Sequence, residues 1–165
     1  MFKNLKKHGR IFVVGPQRSG TRIVTKMIGN DTGHRVVYER EVLIDSLSKL
    51  HAFLKIEKEP LVIHAPGFTR WAHLIATDDD LVVFVWRPLG DIWKSESRIG
   101  WEYDTAEAMK YERLSGSAEL KQQYWTYQKT KIKNHMTVEY DLLSEHKMWV
   151  PKEKREGWDY LRTGN

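Results

Sequence analysis

The residues with the most chemical potential stand near the start of the chain, in Gly15-Pro16-Gln17-Arg18-Ser19-Gly20-Thr21-Arg22. Gly15 and Gly20 permit backbone dihedrals and a close approach that a side chain blocks. A turn of this kind between a strand and a helix aims its N–H groups inward. The helix N-terminus adds partial positive charge, and the two together make an anion site. Ser19 and Thr21 offer hydroxyl donors, and Arg18 a charged fork suited to phosphate. ATP-hydrolysing loops of this class read G-x-x-x-x-G-K-[ST], with the Lys on the β/γ-phosphates and the hydroxyl on magnesium. Here Thr21 takes the Lys position, Arg22 takes the hydroxyl position, and the positive charge has moved to Arg18. No Asp closes the later apolar run Leu81–Trp86, where a metal-holding acid would be expected. These departures argue against ordinary magnesium-ATP hydrolysis, and no metal site is expected.

Other candidates follow apolar runs in the same way. Arg87 comes directly after Leu81–Trp86, so its charge must be solvated or paired with an anion. Ser95 lies two turns into the next helical stretch, on the same side. An Arg capping the sheet edge and a Ser facing solvent is the plainer alternative. His64 closes the run Leu61–His64, at the strand end where parallel sheets bind ligands. Its ordinary pKa of about 6.5 suits a general base, although a hydrogen-bonded structural His has the same appearance. Glu39 and Glu41 follow the run Arg35–Tyr38, at another ligand-facing end, and serve either as a base or as surface acids paired with Arg40 and Arg70. The base is not assignable among His64, Glu39 and Glu41.

These positions need a parallel sheet with crossover helices, and short apolar runs alternating with helical patterns supply one. Ile11–Val14 reads as a first strand buried on both faces. A helix follows with Ile23, Val24, Met27 and Ile28 on one face, stopping near Gly29-Asn30. Arg35–Tyr38 is the second strand, and Leu43, Leu47, Leu50 and Leu54 mark an amphipathic helix. Leu61–His64 and Leu81–Trp86 are the third and fourth strands, with a helix after Arg87-Pro88. Asp104–Glu107 has the form of a capping box. Leu120, Tyr124 and Tyr127 mark a further helix, and Met136–Tyr140 a fifth strand.

The bulk composition agrees. The chain has 165 residues, 41% hydrophobic and 30% charged, which is ordinary for a folded domain. Lysine and arginine number 27 against 22 acids, a formal charge of +5 that suits an anionic ligand as well as a solvated basic surface. Seven tryptophans offer either core or stacking surface; Trp93 and Trp101 are candidates for a pocket wall, with core packing as the alternative. The absence of cysteine excludes disulfides, thiolate metal sites and a cysteine nucleophile. The longest apolar stretch, Leu81–Trp86, is far too short to span a bilayer, so a cytoplasmic protein with no membrane partner is expected.

Taken as motifs, Pro16-Gln17-Arg18-Ser19-Gly20-Thr21 resembles the phosphosulfate-binding loop of the sulfotransferase family, roughly P-[RK]-S-G-T-[TS], with Gln17 as an extra residue. Arg87-Pro88-Leu89-Gly90-Asp91-Ile92-Trp93-Lys94-Ser95 resembles that family's R-x-P-x-D-x-x-x-S segment. His64-Ala65-Pro66 is similar to its H-x-P, and Glu139-Tyr140-Asp141-Leu142 to its Y-E-D-L. The resemblance implies that Gly15, Arg18, Ser19, Gly20, Thr21 and Arg22 hold the 5′-phosphosulfate of 3′-phosphoadenosine 5′-phosphosulfate without a metal. It further implies that Arg87 and Ser95 hold the 3′-phosphate, and that His64, or a Glu at about the place of Glu39 or Glu41, deprotonates the acceptor.

The expectation is therefore a single P-loop domain over residues 1–165: a three-layer α/β fold with a mainly parallel five-stranded sheet flanked by helices. Its activity would be sulfuryl transfer to an acceptor hydroxyl or amine, from a nucleotide-like donor to an acceptor the sequence leaves open. The alternative is a small P-loop kinase using ATP with magnesium on a nucleoside, a nucleotide or a hydroxymethylated DNA base, with Arg18 replacing the loop Lys and nucleic acid as a possible partner. A third class is a non-catalytic nucleotide- or nucleic-acid-binding module, its basic N-terminus and the 129–133 region tracking a phosphate backbone.

Overall fold

The computed structural model describes residues 1–39, 46–98, 117–151 and 154. Its centre is a parallel sheet of β1 (Arg10–Val14), β2 (Arg35–Tyr38), β3 (Leu61–His64), β4 (Leu81–Trp86) and β5 (His135–Glu139), in the order β2-β3-β1-β4-β5. Every strand being parallel, all five end on the same edge. The loop after β1 emerges there between the ends of β3 and β4.

The apolar runs became strands because both faces of the sheet are covered. In β1, Phe12 and Val14 join one core with Ile63, Phe84, Leu50, Leu54 and Trp125. Ile11 and Val13 join the opposite core with Val24, Met27, Ile28, Val83 and Val85. Helix α1 (Thr21–Thr32) covers the second face, together with Phe2 and Leu5 of the N-terminal turn. Helices α2 (Leu47–Ile56) and α3 (Ala72–Ile75) contribute to the first, as does α5 (Ala118–Gln128). Helix α4 (Leu89–Ser97) follows β4 after Pro88. No described helix is long and apolar enough to cross a membrane.

Helix α1 and strand β5 differ from the sequence reading, β5 beginning and ending one residue earlier than Met136–Tyr140 because Tyr140 opens a 3-10 turn. Helix α1 does not stop at Gly29-Asn30 but runs to Thr32, and Gly33 ends it at φ 75°. Gly29 is small for another reason: a Cβ there would stand 2.3 Å from Val36 Cγ2, so it lets the helix lie close on β2. In α5 the residues that mark the helix in the sequence, Leu120, Tyr124 and Tyr127, are exposed, and Lys121, Gln122, Trp125 and Gln128 are buried. Trp93 is likewise exposed. Leu43, Trp101 and the Asp104–Glu107 capping box lie outside the described residues.

Candidate functional site

The loop after β1 turns by means of three left-handed residues, Gly15 (φ 139°), Arg18 (φ 63°) and Gly20 (φ 101°). A side chain at Gly15 would meet Val85 O at 2.9 Å, and one at Gly20 would meet the Tyr140 ring at 2.6 Å. The glycines are therefore required both for conformation and for space. Gly20 is also the N-cap of α1 and leaves the first helical N–H groups without a side-chain cap, the arrangement that favours an anion. Ser19 is fully buried, and its hydroxyl donates to Pro16 O at 2.7 Å. It braces the loop from within rather than facing a ligand.

On the β4 side the predicted cationic residues converge. Arg18 Nε donates to Ser95 Oγ at 3.1 Å, and Arg87 Nη1 donates to the Arg18 carbonyl at 2.8 Å. Ser95 is buried on α4, facing the loop rather than solvent. The Arg87 guanidinium stacks 4.1 Å from the centre of the Tyr140 ring, a cation–π contact. Arg87 Nε is buried and meets no acceptor. Arg22, on the first turn of α1, lies over Tyr38 at 4.7 Å and also has a buried Nε without an acceptor. A buried donor left in this way costs free energy that an anion's oxygens would recover.

On the β3 side, His64 Nε2 is 3.0 Å from Thr21 Oγ1, with the direction of donation set by the ring tautomer. His64 therefore reaches the start of α1 rather than standing apart from the loop. Glu39 is buried at the end of β2, where both carboxylate oxygens accept from Gly67 N–H at 3.1 and 3.2 Å. Its own N–H donates to His64 O at 3.2 Å. His64 and Glu39 are thus neighbours at the ends of paired strands. Glu41 lies outside the described residues.

With this geometry in view, the comparison with solved structures has a definite meaning. A shikimate kinase from Acinetobacter baumannii, in complex with shikimate, superposes with a TM-score of 0.52 at 13% identity, covering 84% of this chain and 88% of that one. The chain has a P-loop kinase-like α/β fold. No family model matches the sequence, and no curated protein matches it significantly.

Within that P-loop fold, the residues present fit an anionic nucleotide tail better than they fit a loop-bound magnesium. The cradle, its two glycines and the unmatched Arg22 and Arg87 donors suit phosphate oxygens. The position of the magnesium hydroxyl is Arg22, and β4 ends in Trp86 rather than an acid. Among the described residues no group of three or more His, Asp or Glu side chains is placed to hold a metal.

Several residues that shape the site carried no sequence signal of their own. Thr69 accepts from Gly15 N–H at 2.9 Å, and its hydroxyl lies 3.0 Å from Gly15 O and 2.7 Å from Pro66 O. Gln128 Nε2 donates to Thr69 O at 2.8 Å, and Gln122 Nε2 to Arg87 O at 2.7 Å. Lys121 Nζ donates to the loop residue Gln17, at Oε1, at 2.6 Å. Tyr140, which the sequence did single out within Glu139–Leu142, fills the space beside Gly20 and supports Arg87. A polar face on α5, recurring at 121, 122 and 128, was the one available hint.

Proposed function

We propose that this chain is a P-loop group transferase that holds the anionic tail of a nucleotide in the 15–21 loop and passes its terminal group to an acceptor hydroxyl. The observation that carries this reading is the meeting of Arg18, Arg87 and Ser95 around a left-handed glycine loop at a helix N-terminus. The structural neighbour, a shikimate kinase, favours phosphoryl transfer from ATP as the first form of this activity. In that reaction the acceptor oxygen bonds to the γ-phosphorus and the bond to the bridging oxygen breaks. ADP leaves, and the acceptor proton passes to a base. Among the described residues, His64, in contact with Thr21, and Glu39, beside it at the end of β2, are the candidates to take that proton, with Glu41 as the third candidate offered by the sequence. Arg18 and Arg87 would stabilise the charge that develops on the transferring group and the leaving oxygen.

Sulfuryl transfer from 3′-phosphoadenosine 5′-phosphosulfate is the second reading, favoured by two features. The Arg18–Ser95 bond ties the loop to the segment after β4, where a 3′-phosphate would sit between Arg87 and Ser95. Thr21 and Arg22 in place of the Lys and Ser/Thr of the ATP loop point the same way. The acceptor is an alcohol or amine, small or carried on a nucleotide or DNA base.

A transfer assay decides between the donors. Incubation with γ-labelled ATP or with sulfur-labelled phosphosulfate, each with and without magnesium, is expected to move label from one donor to hydroxylated small molecules or hydroxymethylated DNA. Slow hydrolysis of the same donor is expected when no acceptor is present. Inertness toward both donors, with no binding of either, would sink the proposal.

A further inference from the structure

We propose that the outward face of α5 and the 3-10 turn beside it form a docking strip for single-stranded nucleic acid, next to the phosphate loop. Tyr124 and Tyr127 stand exposed on α5, three residues apart and so on one helix face. The Arg70 guanidinium lies over the Tyr124 ring at 5.3 Å and over the Trp71 ring at 5.8 Å. The Lys131 ammonium lies 4.3 Å from the centre of the Tyr127 ring, and the His73 ring meets the same tyrosine edge-on at 6.4 Å. Cations and aromatic rings thus alternate along one surface. That surface is tied to the loop: Gln128 accepts from His73 N–H at 3.3 Å and donates to Thr69 O, and the Thr69 hydroxyl accepts from Gly15 N–H.

The charge on this strip sets it apart from the rest of the surface. Arg10, Arg35 and Lys133 lie against acids, at Asp80, at Glu57 and Glu59, and at Asp78. Arg70, Lys129 and Lys131 meet no carboxylate among the described residues. A cation resting on a ring keeps its charge, so the strip offers both positive charge and flat apolar faces to an outside partner. A nucleic-acid strand brings the complement of each at every step, a phosphate and a base. Stacking on an aromatic side chain needs an unpaired base face and is indifferent to sequence, and a duplex hides those faces. Tyr124 and Tyr127 are about 4.5 Å apart along the helix axis by the rise per residue, close to the spacing of about 3.4 Å between successive bases of one strand. A strand on this face passes the turn that holds Gly15, so a base carried on it can serve as the acceptor; that consequence alone rests on the transferase reading.

The test is fluorescence anisotropy of the full chain with a labelled oligothymidylate, with its duplex on oligodeoxyadenylate and with labelled polyglutamate, together with flotation on phosphatidylserine vesicles. Wild type, Tyr127→Ala, Tyr127→Trp, Lys131→Gln and Lys133→Gln are compared. Wild type should bind the single strand more tightly than the duplex, with an affinity that falls as salt rises. Tyr127→Ala should weaken it about tenfold, and Tyr127→Trp should restore it. Lys131→Gln should weaken it and lower the salt slope by about 0.7, whereas Lys133→Gln, whose ammonium already has Asp78, should change neither. Saturating adenosine 3′,5′-bisphosphate should leave the strand bound, since the strip lies outside the phosphate loop. No binding of the oligothymidylate, a preference for the duplex, or binding unchanged in either Tyr127→Ala or Lys131→Gln overturns the proposal. So does displacement by the bisphosphate, or a Lys133→Gln loss as large as that of Lys131→Gln. Polyglutamate or vesicles bound more tightly than the strand, with the same losses, would give the strip to a peptide or a membrane and overturn it as well. Wild type binding the strand but no nucleotide anion removes the transferase reading and leaves the strip standing.

Discussion

Where the strands begin, buried charge is matched at close range. Asp31, on the last turn of α1, accepts from Phe2 N–H at 2.8 Å and from the N-terminal amine at 3.2 Å, and His146 Nε2 lies 3.2 Å away. Arg10 bonds both oxygens of the buried Asp80, at 2.6 and 3.2 Å. Where the strands end, Arg18 and Arg87 have hydroxyl or carbonyl partners, and the Nε groups of Arg22 and Arg87 are buried without any acceptor. The first edge pairs its acids Asp31 and Asp80 with donors close by. The second gathers donors and positive charge around a loop, and its open hydrogen-bonding capacity is what a ligand would fill. An acid at a helix C-terminus runs against the helix dipole, so Asp31 is explained by its donors and its fastening of the N-terminus.

The contrast predicts that substitutions at the two edges separate binding from stability. The largest effect is expected for Arg87→Met, which keeps much of the bulk over Tyr140 and removes the fork. Nucleotide affinity should fall about a hundredfold, since a buried charge-assisted contact is lost, with little change in the denaturation midpoint. Gly20→Ala should cost about 2 kcal/mol by urea unfolding, from the left-handed φ and the encounter with the Tyr140 ring. It should also weaken binding, because the same ring supports Arg87.

Asp31→Asn should cost about 1 kcal/mol at neutral pH and leave nucleotide binding intact. Burial alone would raise the Asp31 pKa. The Phe2 N–H, His146, the N-terminal amine and Asn30 outweigh it and hold the carboxyl well below the usual range. A depressed folded-state pKa contributes stability at pH values above the unfolded one and loses it as pH falls below about 4. Asp31→Asn should flatten that part of the stability–pH curve measured by urea unfolding. The smallest effect is expected for Lys133→Ala, whose exposed pair with Asp78 at 3.4 Å should matter by less than about 0.5 kcal/mol.

The comparison also marks what the sequence could show. β2, β3 and β4 were legible to the residue, because runs such as Leu81–Trp86 have no stable place except between two apolar layers. The loop was legible because its glycines and arginine follow such a run. Helix α5 was legible as a helix, but its inward face was not: Lys121, Gln122 and Gln128 reach main-chain groups of Arg87 and Thr69 and the side chain of Gln17. Periodicity ranks residues by apolarity and cannot anticipate a polar face recruited by distant loops. Thr69 was invisible for a related reason, since its bonds to Gly15 depend on the 3-10 turn Pro66–Trp71 lying across the loop. Serine 19 was misjudged because a hydroxyl in a tight turn bonds its own backbone when a carbonyl is in reach.

The most direct test of the central claim is to titrate the protein calorimetrically with adenosine, ATP and adenosine 3′,5′-bisphosphate over a range of salt. The account predicts that at least one of the phosphorylated ligands binds, that its affinity falls as salt rises and that Arg87→Met abolishes most of it, while adenosine binds weakly or not at all. Equal affinity for adenosine and its phosphorylated forms, or phosphate-dependent binding that survives Arg87→Met unchanged, would contradict it.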